Sequence, residues 1–245
     1  PNCEIRALAS VPDFTPLELG KAAKAEGSPL VNRAFSAYAP GSVFKLVTAS
    51  VELEEDNALE RFTCTGSVNA GGLLFHCIDG KPHGQVDLEA AIEKSCNCYF
   101  INAARSLGGQ SILSMAYNLG FGVEQEFGRG LLTSGGQLPE AASLENVRAL
   151  ANFAFGQGEL TVTPVQLCGM MNAIASGGEY SNPKLIAGRV TSEKELVPYE
   201  PVTDKTVRVM EESTARKLQG YLESAAENGT AETGAPRNCL SGIKT

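Results

Sequence analysis

Helix-forming patterns fill the middle of this 245-residue chain, and strand-like patterns lie at its two ends. Residues 3–11 alternate well enough to form a strand, which Pro12 and Asp13 end. Residues 183–209 contain further strand-like pieces around a charged turn, and residues 239–245 have the pattern of another strand beginning. This arrangement predicts an α+β domain.

The helical segments are recognised by apolar residues at helical spacing and by their end signals. They are predicted over residues 42–55, 87–94, 98–107, 110–119, 143–153, 164–176 and 213–227. The start of the sixth can be argued in detail: Thr163 suits the N-cap, Pro164 suits the first helical position, and Gln166 completes a capping box. Residues 60–86 are rich in glycine and predict an irregular loop excursion.

The charge of the chain limits the partners it can have. Its formal net charge is −8, and no run of lysine and arginine occurs. Because nucleic acids and anionic lipids bind to positive surfaces, neither is expected as the main partner, and a small-molecule or peptide substrate fits better. The sequence also contains no stretch of about 18 apolar residues and no signal-peptide pattern.

Ser42 and Lys45 lie three residues apart at the predicted start of an apolar helix. Residues at this spacing share one helix face, so the lysine amine can lie beside the serine hydroxyl. A serine hydroxyl needs a nearby base to act as a nucleophile, and lysine is such a base only when burial or a neighbouring positive charge lowers its pKa. The pair therefore indicates a lysine-activated serine, although Ser42 alone could be an N-cap and Lys45 a solvated lysine.

Two further pairs suit such a site. Ser95 and Asn97 lie between two predicted helices, where a loop can place a hydroxyl and an amide in a cleft. Lys244 and Thr245 end a strand-like segment of small residues, which suits them to hold a substrate carboxylate. The bare spacings recur at Ser181 with Lys184, Ser241 with Lys244 and Ser67 with Asn69. Because only the first Ser-x-x-Lys pair opens an apolar helix, the ordered set of three motifs carries the prediction.

Ser-x-x-Lys, Ser-Asp-Asn and Lys-Thr-Gly are the known signature of penicillin-binding proteins and class A β-lactamases. This chain resembles the class B penicillin-binding proteins along nearly its whole length. The matching segments are EIRALASVPDF, NRAFSAYAPGSVFKLVTA, HGQVDLEAAIEKSCNCYF, FGQGELTVTPVQL, NAIASGGEYSNPKL and GIKT. The resemblance implies a fold with an antiparallel sheet flanked by helices and an all-helical subdomain.

The resemblance also implies a D,D-transpeptidase that cross-links peptidoglycan through a serine acyl-enzyme. Ser42 would attack the D-Ala-D-Ala carbonyl of a stem peptide while Lys45 takes its proton. Ser95 would pass a proton to the leaving D-Ala, and Asn97 would bind the donor peptide and orient the lysine.

The same resemblance implies a binding role for the third motif and a set of partners. Lys244 and Thr245 would hold the terminal carboxylate of the peptide and help to lower the pKa of the lysine base. An amine of a neighbouring stem peptide would resolve the acyl-enzyme, and β-lactams would acylate the same serine. The implied partners are peptidoglycan stem peptides, β-lactams and a membrane glycosyltransferase, with no nucleic acid and no cofactor for catalysis.

Residues 1–245 are expected to be one transpeptidase domain of a longer protein. The third motif of the family ends in glycine, which this chain does not reach, so a C-terminal strand and helix are expected to follow. The membrane anchor and the non-catalytic domain of the family are expected ahead of Pro1. They would place the protein on the extracytoplasmic face of the bacterial cell membrane.

The seven cysteines form an odd and unevenly spread set, which does not predict a disulfide framework. Cys64, Cys77, His83 and Cys96 form the pattern C-x12-C-x5-H-x12-C, and three thiols with one imidazole are a ligand set for structural zinc. Some class B relatives with a similar run carry zinc there, so the resemblance favours the same interpretation.

Alternatives to this zinc site are free thiols, a disulfide between Cys64 and Cys77, or a site that uses His76 or Cys98 as a substitute ligand. Two other functions also stay open. A serine β-lactamase of class D type or a β-lactam sensor shares a lysine-activated serine, but the Ser-x-Asn motif and the 60–86 excursion argue against it. A non-catalytic scaffold for division or elongation partners would not need the intact motif residues.

Overall fold

The structure is a computed structural model that describes residues 3–128, 130–198, 206–234 and 241–245. The first helix, α1, is the short segment Leu19–Ala22, and the second, α2, is Lys45–Glu54. A 3₁₀ turn at Gly41–Phe44 leads directly into α2. Helical structure therefore begins next to Ser42, close to the predicted start.

Residues 60–86 are more ordered than the predicted irregular loop. They contain four strands: β1 (Phe62–Cys64), β2 (Ser67–Ala70), β3 (Leu73–His76) and β4 (Gly84–Val86). β1 pairs with β4, and β2 pairs with β3, in both cases antiparallel. The prediction of an irregular loop is wrong here because Gly71 and Gly72, with φ of 58° and 83°, form a two-residue turn that suits a hairpin.

Six further α-helices follow in the described residues after β4. In chain order they are α3 (Leu88–Glu93), α4 (Asn97–Leu107), α5 (Gly109–Asn118), α6 (Val147–Ala154), α7 (Pro164–Ala175) and α8 (Glu212–Asn228). Each matches a predicted segment, but α6 begins later than predicted. Its start is set by Asn146, whose side chain accepts hydrogen bonds from the N–H groups of Arg148 and Ala149.

In the part of the chain that the structure describes between α7 and α8, four short strands are found. They are β5 (Glu179–Tyr180), β6 (Gly188–Val190), β7 (Leu196–Pro198) and β8 (Val207–Arg208). β5 pairs with β8 and β6 pairs with β7, again antiparallel. The predicted α+β class is confirmed, since helices and antiparallel strand pairs make up the described chain.

The core is built around α2, which packs against α4, α5 and α8. The ring of Phe44, just before α2, lies against those of Phe121 and Phe153, with centroid distances of 6.0 and 5.0 Å. Lys45 is as fully buried as Phe44, although it is a charged residue type. The start of α2 is therefore held firmly in the core.

The two terminal strands that the sequence predicts are not formed as ladders in the described residues. Within residues 3–11, only Glu4 makes a bridge, to Lys184. Residues 239 and 240 lie outside the described part of the chain, and residues 241–245 have no strand assignment. Ile243 instead donates its backbone N–H to the carbonyl of Leu222 in α8 at 3.1 Å. Among the described helices, none has the length and hydropathy needed to cross a membrane.

α7 begins with the predicted capping box. The Thr163 hydroxyl accepts a hydrogen bond from the Gln166 N–H at 3.1 Å, and the Gln166 carboxamide oxygen accepts one from the Thr163 N–H at 2.8 Å. The Gln166 amide nitrogen also lies within hydrogen-bond distance of the carbonyls of Gly120, Val123 and Gly135. This buried cap therefore joins the start of α7 to the segments that contain residues 120–123 and residue 135.

We expect Thr163→Ala to lower the stability of the protein by about 1 kcal/mol, because the Gln166 N–H loses its acceptor. In a domain of this size, this corresponds to a fall of roughly 2–4 °C in Tm. Thr163→Ser keeps the hydroxyl and should restore most of the loss. Ser213→Ala, an exposed position in the first turn of α8, is the control and should stay within about 0.5 kcal/mol. Equal Tm values for Thr163→Ala and the wild type would contradict the capping role.

Candidate active site

The side chains of the first two motifs converge on the amine of Lys45. Its Nζ lies 3.0 Å from the Ser42 Oγ, 3.0 Å from the Ser95 Oγ and 2.6 Å from the Asn97 Oδ1. The main-chain carbonyl of Ser95 is a fourth neighbour, at 2.8 Å. The structure therefore brings together all four residues that the sequence proposes for catalysis.

The position of Ser42 depends on a close approach of two glycines. The backbone N–H of Gly41 donates to the carbonyl of Gly156 at 3.0 Å. Gly156 has φ of 81°, and a Cβ there would lie only 2.0 Å from the Gly41 oxygen. Only glycine fits this position, so Gly156 helps to set the 3₁₀ turn that carries Ser42. Sequence reasoning did not single it out, although the segment FGQG that contains it carries part of the family resemblance.

Ser95 has an unusual backbone conformation between α3 and α4. Its φ is 50°, in the left-handed region that non-glycine residues rarely adopt. The chain leaves α3 at Lys94 and begins α4 at Asn97, so Ser95 and Asn97 lie on either side of the helix start. This turn directs both side chains to Lys45, and strain of this kind persists where the surroundings hold it in place.

The pKa of Lys45 is lowered to about 7, from 10.5, mainly because burial disfavours its charged form. The positive charge of Lys244 acts in the same direction, whereas nearby thiols oppose it. The Phe100 ring, with its centroid 5.8 Å from the Lys45 Nζ, covers one side of the amine. A large fraction of Lys45 is therefore neutral near pH 7, and a neutral amine can accept a proton from Ser42.

The third motif lies beside the first two. The Ser95 Oγ donates to the main-chain oxygen of Thr245 at 3.4 Å, and the Thr245 hydroxyl is 2.6 Å from that of Thr230. Burial lowers the pKa of Lys244 to about 8. Lys244 also acts electrostatically on Lys45. The site therefore holds two amines, and Lys45, which has the lower pKa, loses its proton first.

Close to this site, the four predicted metal ligands form one cluster. The sulfurs and ring nitrogen of Cys64, Cys77, His83 and Cys96 all lie within 4.8 Å of one another. The Cys77 Sγ is 3.7 Å from the Cys64 Sγ and 3.8 Å from the Cys96 Sγ, and the Cys64 Sγ is 3.6 Å from the His83 Nδ1. A tetrahedral site with Zn–S bonds of about 2.3 Å places two sulfurs roughly 3.8 Å apart, so the donor set fits zinc.

The two substitute ligands named from the sequence have different positions. Cys98 is buried with its Sγ 3.5 Å from that of Cys77, next to the cluster. His76 is exposed, and its backbone carbonyl accepts a hydrogen bond from the Asn97 Nδ2 at 2.8 Å. Neither belongs to the group of four donors.

Comparison with known proteins agrees with these observations. Residues 2–243 match the family described as the penicillin binding protein transpeptidase domain. The chain is 29% identical over its full length to stage V sporulation protein D of Bacillus subtilis, of which it covers 38%. It is 28% identical over 96% of its length to the peptidoglycan D,D-transpeptidase PbpA of Mycolicibacterium smegmatis, of which it covers 54%. The chain therefore spans about half or less of the length of these relatives.

Solved structures show the same similarity. The D,D-transpeptidase domain of a peptidoglycan glycosyltransferase from Eggerthella lenta superposes with a TM-score of 0.86 and 25% identity, over 97% of this chain and 61% of that one. Penicillin-binding protein 3 of Mycobacterium tuberculosis, complexed with ampicillin, gives a TM-score of 0.76 and 26% identity, over 89% of this chain and 49% of that one. On its family match, its relatives and its fold, this chain belongs to the transpeptidase domain family of penicillin-binding proteins, in class B.

Proposed function

We propose that this domain is the catalytic part of a D,D-transpeptidase that cross-links peptidoglycan and is acylated by β-lactams at Ser42. The observation that carries the proposal is the set of contacts at the Lys45 Nζ, which meets both serine hydroxyls and the Asn97 amide oxygen within 3.0 Å. A buried amine that is partly neutral near pH 7, next to a hydroxyl at the start of a helix, is the arrangement that nucleophilic acyl transfer needs.

The proposed reaction uses only groups of this chain and of its substrates. The Ser42 Oγ bonds to the carbonyl carbon of the penultimate D-Ala, and its proton passes to the neutral Lys45. The C–N bond to the terminal D-Ala then breaks, and the departing amine takes up a proton through the Ser95 hydroxyl. An amine from a second stem peptide then attacks the ester carbonyl and the C–O bond to Ser42 breaks. The proton of that amine returns to the serine oxygen through Lys45, which completes the cross-link and frees the serine. Asn97 keeps the lysine in place during both steps.

We further propose that Lys244 and Thr245 bind the terminal carboxylate of the donor peptide, since the Lys244 amine and the Ser95 hydroxyl both donate to the main-chain oxygen of Thr245 and so bring the third motif beside the second. The relatives are peptidoglycan transpeptidases and penicillin-binding proteins, which supports an extracytoplasmic location. A membrane glycosyltransferase is proposed as partner on the resemblance to the class B family alone. Residues 1–245 would then be one transpeptidase domain of a longer, membrane-anchored protein.

A penicillin should add its full mass to the protein, because ring opening joins the β-lactam carbonyl to the Ser42 Oγ with no leaving group. Ser42→Ala should show no adduct in intact-mass spectra, and Lys45→Ala should slow acylation by roughly 10²–10⁴-fold. Ser181→Ala changes the serine of another Ser-x-x-Lys pair and should acylate like the wild type.

The lifetime of the adduct separates the alternatives. A long-lived adduct supports the transpeptidase, whereas rapid release of hydrolysed penicillin would indicate a β-lactamase. An absence of any adduct on the wild-type protein would favour the non-catalytic scaffold.

The second-order rate constant of acylation should follow a bell-shaped pH profile. Below about pH 7, Lys45 carries a proton and cannot accept another, so the rate should rise as the pH passes through 7. Above about pH 8, Lys244 loses its charge, and binding of the carboxylate should weaken. Lys244→Gln should remove the alkaline fall and move the acid limb to higher pH, because its charge helps to lower the pKa of Lys45. A flat wild-type profile between pH 5.5 and 9.5 would contradict lysine as the base.

We also propose that Cys64, Cys77, His83 and Cys96 hold a structural zinc ion, on the basis of the tetrahedral fit of their donor atoms. When bound, the ion would fasten the 60–86 excursion to the start of α4. Four protein ligands leave no open position, so the metal would take no part in the acyl transfer.

Protein purified without a chelator should contain about one zinc per chain. Cys64→Ser should lose most of the metal and lower the Tm, because the 60–86 excursion is then no longer fastened to α4. Cys168→Ser is the matched control, since Cys168 is exposed and outside the cluster, and it should keep the metal. A metal-free protein with Cys64 disulfide-bonded to Cys77 would rule this proposal out.

A further inference from the structure

The peptide group between His76 and Cys77 is held at both of its ends. Its N–H, from Cys77, donates to the carbonyl of Gly66 at 3.0 Å. Its C=O, from His76, accepts the hydrogen bond from the Asn97 Nδ2 at 2.8 Å. The Asn97 Oδ1 in turn accepts from the Lys45 Nζ at 2.6 Å. One continuous chain of hydrogen bonds therefore runs from Gly66 to the proposed base.

This series of hydrogen bonds determines which way the Asn97 amide faces. The oxygen and nitrogen ends of an asparagine amide have nearly the same shape, so their partners determine the orientation. The His76 carbonyl can only accept, and it therefore requires the nitrogen end of Asn97. The oxygen end is left facing Lys45, where it can accept from the amine. Without the carbonyl, only the hydrogens of the Lys45 amine would favour the oxygen end of Asn97, and a neutral amine can also accept a hydrogen bond from the N–H₂ end.

Gly66 is needed for this arrangement. Its φ is 90°, and a Cβ added to it would lie 2.3 Å from the carbonyl oxygen of Gly80. The chain at Gly66 must therefore pass close against the turn after β3, and a side chain would push its carbonyl away from Cys77. Gly80 and Gly84 also have positive φ, 63° and 69°, but a Cβ at either would meet nothing within 4 Å.

We propose that Gly66 is a positioning residue for acylation: through the His76–Cys77 peptide group, it sets the orientation of the Asn97 amide towards Lys45. The 60–86 excursion, which contains Gly66 and His76, then contributes to the geometry of the active site. The inference rests on the proposed acyl transfer for its effect on rate, but its structural part does not depend on that function.

The test compares Gly66→Ala with Gly80→Ala in the protein that carries this domain. Both substitutions place alanine at positive φ, and only the first creates a backbone clash. We expect Gly66→Ala to slow acylation by penicillin by at least roughly tenfold, because small displacements of a positioned group reduce rates strongly. Gly80→Ala should stay within about threefold of the wild type. Equal losses in the two variants would show a general effect of strain and would overturn the proposal.

A double-mutant cycle with Asn97→Ala tests whether the effect passes through Asn97. Once the amide is absent, Gly66→Ala should cause no further loss of rate, since a residue that acts through another has nothing left to act on. Additive losses would mean that Gly66 has only a structural role, and they would contradict the proposal.

An NMR measurement on the wild type tests the hydrogen bond between Asn97 and His76 without any acylation. One Nδ2 proton of Asn97 should be shifted downfield and protected from exchange by the His76 carbonyl. In folded Gly66→Ala protein this signature should be lost. Rapid exchange of both Nδ2 protons in the wild type would overturn the proposal. A protein that shows the signature but is never acylated would instead show that the proposed function has failed and the positioning has not.

Discussion

The burial of the Lys45 amine, which has no contact with solvent, is the constraint on which the arrangement of this domain depends. Burial makes the charged form of Lys45 unfavourable, and the oxygens of Ser42, Ser95 and Asn97 satisfy the hydrogens of the amine. The burial comes from the packing of α2 against α4, α5 and α8, which also holds the core together. The same packing that stabilises the fold therefore also lowers the pKa of the proposed base.

The three motifs meet because central helices bring distant parts of the chain together. Ser95 contacts Lys45 from 50 residues away, and it contacts Thr245 from 150 residues away. The first contact follows from the packing of α2 on α4, since Ser95 lies just before α4 begins. The second depends on α8, because Ile243 is hydrogen-bonded to the carbonyl of Leu222 and so brings the last residues alongside.

Sequence reasoning succeeded where the deciding signals are local. The capping box at Thr163 is complete within four residues, and the spacing of Ser42 and Lys45 on one helical turn already predicts their contact. It failed where a segment needs a distant partner. The need for glycine at Gly156 comes from Gly41, which is far away in sequence, and the strands of the 60–86 excursion were hidden by a glycine content that is also typical of loops.

The proposed metal site and the proposed active site share a stretch of three residues. Ser95 and Asn97 contact Lys45, while the sulfur of Cys96 between them contacts that of Cys77 in the cluster. Alternate side chains at the start of α4 thus serve two different sites, and a shift of Cys96 would move both of its neighbours. This double anchoring gives a physical reason for the left-handed backbone of Ser95: contacts on both sides hold a conformation that the residue would not adopt alone. The cysteine cluster is therefore best understood as support for the geometry around the lysine, built from the opposite face of the same turn.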